Sequence, residues 1–207
     1  MLLDVFKFAV SSSSSQTFQQ EFELQVSQLT SNPQAALASM FDLAASRLVR
    51  FATGMTASQD DAEDAVQSAF SRIAAKPKLL MKATYPWPYF IRTVRNEALR
   101  ILQKRRTSRL GEFDTECGDD TAEQVIQREE TADWVQRILK SLPSSQSEVV
   151  ILKHWEELTF AEIADVLGKS QNTVASRYRY AMEKLQRSLE PLIAREEKTT
   201  EANASTL

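Results

Sequence analysis

Residues 158–179 read Leu158-Thr159-Phe160-Ala161-Glu162-Ile163-Ala164-Asp165-Val166-Leu167-Gly168-Lys169-Ser170-Gln171-Asn172-Thr173-Val174-Ala175-Ser176-Arg177-Tyr178-Arg179, and they carry the start and stop signals of two closely joined helices. Thr159 with Glu162 forms a capping box, the hydroxyl accepting one free N–H of the first turn while the carboxylate reaches back to another. Ile163, Ala164, Val166 and Leu167 supply an apolar face, and Gly168 can take the left-handed conformation that ends a helix. Ser170 caps the next helix, whose Val174, Tyr178, Ala181, Leu185 and Leu189 recur at steps of three and four. Two helices with so short a connection make a helix-turn-helix.

In that motif the second helix enters the major groove, so its first turns need short polar groups for base edges and cations for phosphates. Ser170, Gln171, Asn172, Thr173, Ser176, Arg177 and Arg179 meet the requirement. The competing reading is a helical hairpin with a solvated outer face.

Outward from this motif the chain stays helical. Upstream, Trp134, Ile138, Leu139 and Leu142 stop at Pro143, and Ser144 or Ser145 starts a helix through Val149 and Leu152. Further back, Leu37, Met40, Phe41, Ala44, Leu48 and Ala52 form one stripe, with Gly54 expected as its stop. Ser58 and Asp61 open a second helix, with Ala62, Ala65, Val66, Ala69, Phe70 and Ile73 on one face before Pro77. Pro86 and Pro88 mark a third entry, followed by Phe90, Ile91, Val94, Ala98, Ile101 and Leu102. Only four glycines and six prolines in 207 residues also disfavour a turn-rich β fold, so an all-α chain of two small helical domains is expected.

The net charge of -3, taken as an average, argues against nucleic acid, but its distribution does not. Arg92 to Arg109 holds seven basic residues against one acidic, a balance of +6, and Lys169 to Arg187 holds five against one, a balance of +4. Between them, Glu112 to Asp133 holds nine acidic residues against one basic, a balance of -8. Gly111 precedes that segment, which includes Cys117 and Gly118 and has little apolar periodicity before Val125, so it reads as a solvated linker. The expected domains are an extension over 1–33, a first unit over 34–110, a linker over 111–130, a second unit over 131–195 and a polar tail over 196–207.

One Cys and one His leave no disulfide framework, no Cys/His zinc site and no Ser-His-Asp site beyond what His154 could offer alone. No cofactor, metal or enzymatic activity is expected. The run Met1 to Val10 lacks a basic start and carries Asp4 and Lys7, unlike a secretory signal. No apolar run approaches the roughly 18 to 20 residues of a membrane span, so a cytoplasmic protein without membrane insertion is expected.

Leu142-Pro143, Glu148 to Leu152, Leu158 to Ala164 and Thr173 to Arg177 together closely resemble region 4 of bacterial sigma factors of the extracytoplasmic-function group, within the sigma-70 family. Asp61-Ala62-Glu63-Asp64, Val66-Gln67, Phe70, Arg92, Arg95-Asn96 and Ala98-Leu99 independently resemble region 2 of the same group. The resemblance covers about residues 34 to 190. It implies an alternative sigma factor that binds core RNA polymerase and directs it to promoter DNA, with an anti-sigma factor or other regulatory protein as a further partner.

By the same resemblance, Asp61, Glu63, Asp64, Gln67 and Phe70 meet the polymerase. Tyr85, Trp87, Arg92, Arg95, Asn96, Arg100 and Lys104 meet the -10 element, with the loop Ala75 to Pro88 placed like the family's base-capturing loop. Ser170 to Thr173, Ser176, Arg177 and Arg179 meet the -35 element. Core packing is the competing reading for Trp87, Tyr89 and Phe90. The sequence departs from the family at Tyr89, Arg100, Tyr180 and Met182, so Arg179 or Lys184 is expected to replace a phosphate contact that Tyr180 cannot make. The alternative function is a helix-turn-helix regulator acting without polymerase, which would need only residues 131 to 190. A nucleic-acid hydrolase would require metal-binding acids beside the basic face.

Overall fold

The computed structural model describes residues 15–109 and 141–204, with side chains described over 17–107 and 141–188. The expected linker, Cys117, and Trp134, Ile138 and Leu139 lie outside the described residues. Helices α1 (Ser15–Gln28), α2 (Pro33–Thr56), α3 (Gln59–Ala75), α4 (Pro77–Met81) and α5 (Pro86–Arg109) make the first unit, and α6 (Ser144–His154), α7 (Phe160–Leu167) and α8 (Gln171–Ala204) the second. Among the described residues there is no strand. The fold is all-α.

The capping signals act as read. Ser58 accepts the Asp61 N–H at 3.4 Å and Ser170 accepts the Thr173 N–H at 3.2 Å. Both halves of the Thr159 and Glu162 box are formed, and Gly168 closes α7 at φ 61°. Each cap of this kind contributes about 1 kcal/mol.

Gly54 is not a stop. Helix α2 runs past it to Thr56 and ends on Ala57, which takes the left-handed conformation at φ 53°. A Cβ at Gly54 would meet Ile151 Cδ1 of α6 at 3.4 Å, an ordinary van der Waals contact, so nothing in the structure requires glycine there. The stretch before Tyr85 contains α4, which buries Leu80.

The amino-terminal stretch expected as an extension enters the core from α1 onward. Phe22, Val26 and Leu29 are buried, and Phe22 packs on Trp87 and Phe90 at ring distances of 5.1 and 5.8 Å. The abundant Ser and Gln of the first 33 residues hid this three- and four-residue spacing. At the other end, α8 continues helical through Ala204, into the stretch expected as a polar tail.

The two units share one apolar core. Val94 and Phe90 on α5 belong to the same buried cluster as Val149 and Ile151 on α6 and Ile163 and Leu167 on α7. Helix α7 packs along α5, and α6 packs against α2.

Candidate nucleic-acid interface

The second unit presents the start of α8. Gln171, Asn172, Ser176 and Arg179 are exposed, while Val174, Ala181 and Leu185 on the opposite face are buried against α6 and α7. Arg177 and Thr173 are half-buried. Ser170 and Thr173 are occupied locally by the cap, their hydroxyls lying 2.9 Å apart, and Ser176 donates to Asn172 O at 2.8 Å. Arg179 lies 5.1 Å over the Tyr180 ring and 4.0 Å from Glu183. Lys184, the other expected substitute cation, donates to Ser141 O at 2.6 Å and so ties α8 to its own domain. His154 faces Tyr178, ring nitrogen to phenol oxygen 2.9 Å, and acts in packing.

On α5 the polar face carries Arg92, Asn96, Arg100 and Lys104, all exposed. Arg95 is half-buried. Glu97, only 2 % exposed, is the anchor of this face: it pairs with Arg72 of α3 and with Arg100 at 3.3 Å. Neither Arg72 nor Glu97 was singled out from sequence, because their pairing depends on α3 crossing α5. Beside them lies a cavity of 390 Å³ lined by Arg72, Lys76, Tyr89, Thr93, Asn96 and Glu97. It places Asn96 and the half-buried Tyr89 on one concave surface that also includes Ile73 and Leu79.

Trp87 requires a correction. It is 2 % exposed and packs edge-on against Phe18 and Phe22 at 4.8 and 5.1 Å, so its ring is unavailable for stacking on a base. The missed α1 is the reason, since it supplies the rings that cover Trp87. Tyr85 is 52 % exposed and keeps a free face.

Glu63, Asp64 and Gln67 point outward from α3. Asp61 does not: it is 5 % exposed and pairs with Arg105 of α5 at 2.7 Å, which fastens α3 to the basic helix. Phe70 is half-buried between Phe41 and Phe90, at ring distances of 5.2 and 4.7 Å, leaving Phe41 as the more exposed ring.

Among the described residues, no group of three or more His, Cys, Asp or Glu could hold a metal ion, and no helix is long and apolar enough to cross a membrane.

The structure is thus an all-α chain with a helix-turn-helix on one unit and a basic helix on the other. The comparisons with known proteins make this specific. The sigma-70 region 2 model matches residues 40–108 and the sigma-70 region 4 model matches residues 132–185. The RNA polymerase sigma-E factor of Streptomyces coelicolor is 30% identical over 154 residues, 72% of this chain and 81% of that one. The sigma-E factor of Streptomyces avermitilis is 31% identical over 148 residues, covering 69% and 79%. Among solved structures, CnrH in complex with the cytosolic domain of CnrY shares the fold at a TM-score of 0.59 and 22% identity, over 82% of this chain and 97% of that chain. RpoE in complex with the anti-sigma factor NepR from Bartonella quintana does so at 0.57 and 21%, over 72% and 94%. The chain belongs to the sigma-70 family of RNA polymerase sigma factors, in its extracytoplasmic-function group. It is an alternative sigma factor, a factor of transcription initiation.

Proposed function

We propose that the chain binds core RNA polymerase in the cytoplasm and brings it to promoters, α5 and the 390 Å³ cavity meeting the -10 element and the start of α8 meeting the -35 element. The observation that carries this reading is the pairing of two separate polar and cationic helix faces, one on each matched region, in the family's order. Opening a duplex requires a base to leave the stack and find a pocket, and the cavity at Asn96 and Tyr89 offers polar edges and an aromatic wall. Glu97 holds Arg72 and Arg100 where the phosphates of a melted strand would pass.

Glu63, Asp64 and Gln67 form the exposed polymerase-facing patch, with Asp61 setting the helix that bears them. Catalysis of RNA synthesis belongs to the polymerase, and the chain supplies recognition only. The complexes of CnrH with CnrY and of RpoE with NepR support a regulatory protein as a further partner.

Retention on immobilised core polymerase tests the reading. Wild-type chain is expected to be retained, and the charge reversals Glu63→Lys and Asp64→Lys to be lost. If wild type passes through, the alternative of a helix-turn-helix regulator working without polymerase takes its place.

A further inference from the structure

Tyr180 on α8 is one of the positions at which the chain departs from its family, and a phenol carries no charge to pair with a phosphate. Two cations of the same helix could stand in, and the structure separates them. Lys184 is engaged within its own domain, donating to Ser141 O at 2.6 Å. Arg179 is left, and its guanidinium lies 5.1 Å over the Tyr180 ring, with both residues exposed.

A guanidinium carries five N–H donors, and a ring beneath it attracts the charge without accepting a hydrogen bond from any of them. A carboxylate would take those donors instead. Glu183, one helical turn on, is the carboxylate within reach, and its Oε1 stays 4.0 Å from Arg179 Nε, at the limit of an ion pair. The Tyr180 ring thus narrows the orientations open to Arg179 while leaving its donors for an anion. The place of Arg179 on the helix agrees. It follows Asn172 and Ser176 at steps of four and three residues, so the three share one exposed side of α8. It also lies eight residues past Gln171, about 12 Å along the axis. That is about the width of the major groove, so with the first turns of α8 at the base edges, Arg179 reaches the backbone at the groove's wall.

We propose that Tyr180 is a positioning residue of the -35 interface: it holds the Arg179 guanidinium over its ring, with donors directed to a DNA backbone phosphate, and so acts through Arg179 rather than on the DNA. The proposal rests on the reading of α8 as the -35 helix.

The test uses the full chain and a fluorescein-labelled duplex of mixed sequence, with binding followed by anisotropy at several salt concentrations. Mixed sequence suffices because every duplex presents the same backbone phosphates. Tyr180→Leu is expected to weaken binding about two- to fivefold and to lower the salt slope toward that of Arg179→Ala. Tyr180→Phe keeps the ring and is expected to bind as wild type does. On an Arg179→Ala background, Tyr180→Leu should have no further effect, whereas a helix merely destabilised by leucine would lose affinity on either background. Equal losses in Tyr180→Phe and Tyr180→Leu would make the phenol hydroxyl the contact and overturn the inference. A loss that persists on the Arg179→Ala background overturns it too. Wild type that binds no duplex at any salt overturns the reading of α8 together with the inference, and binding that responds to Arg179→Ala but not to Tyr180→Leu overturns the inference alone.

Discussion

Arg95 and Glu148, fifty-three positions apart in the chain, form a two-contact ion pair across the two sigma regions, with side chains only 20 % and 12 % exposed. Arg92 and Asp165 form a second pair at 46 % and 60 % exposure. The difference in burial sets their relative weights, because a solvated pair is screened and gains about 0 to 1 kcal/mol, whereas a desolvated bidentate pair gains more.

A double-mutant cycle on Arg95→Ala and Glu148→Ala is therefore expected to give a coupling of about 1 to 2 kcal/mol in urea unfolding. The same cycle on Arg92 and Asp165 should fall below about 1 kcal/mol and fade with added salt. Equal couplings would mean that burial does not govern this interface.

Glu156 gives a pH dependence of defined sign. Its burial pushes the carboxyl above the ordinary 4.5, and this outweighs the pull of Arg47 and Arg50 and of the Trp87 indole N–H, which faces it without hydrogen-bond geometry. The folded state therefore holds this proton more tightly than the unfolded state. Its contribution is fully present below the unfolded value and is lost as pH rises through the raised folded value. Stability of the wild type relative to Glu156→Gln should accordingly rise as pH is lowered from neutrality toward 4.5. A constant or opposite difference would show that Glu156 titrates as a solvated acid.

Trp87 and Tyr85 should separate cleanly. Trp87→Ala is expected to cost about 3 to 5 kcal/mol of stability, measured by urea unfolding, because it empties a site enclosed by Phe18 and Phe22. Tyr85→Ala should leave stability nearly unchanged and weaken single-strand binding by about 1 to 3 kcal/mol. The reverse pattern would return Trp87 to the DNA surface.

At the other reading helix, Arg177→Ala should cost about 1 to 3 kcal/mol at one position of the -35 element if Arg177 reads a base. Arg179→Ala, on an exposed cation without a buried partner, should weaken all duplexes alike and lower the salt slope by about one. Binding of a -35 duplex panel at several salt concentrations distinguishes them.

The elements legible in the sequence were those whose signals are local. The Thr159 and Glu162 box, Gly168 and Ser170 fix the helix-turn-helix within about twelve residues, and each acts in the structure as its chemistry suggests. What depends on contacts distant in sequence was not legible. Gly54 looked like a helix stop because glycine is a weak helix former, yet packing carries α2 on to Thr56. Asp61 looked like a surface acid because Arg105 is on α5. Trp87 looked available because α1, with its polar composition, gave no strong stripe. Glu156 carried no signal at all, since an acid in a turn is ordinarily solvated. The even spread that the net charge of -3 suggested concealed two basic helices, and the structure adds that carboxylates of the second unit pair with the first of them.

Run-off transcription on a promoter library with purified core polymerase asks whether this chain directs polymerase to promoters through α5 and α8. Transcripts are expected from a subset of templates sharing a -10 and a -35 element, lost with Asn96→Ala and with Arg177→Ala but retained with Glu148→Gln. Transcription no greater than that of core polymerase alone, on every template, would contradict it.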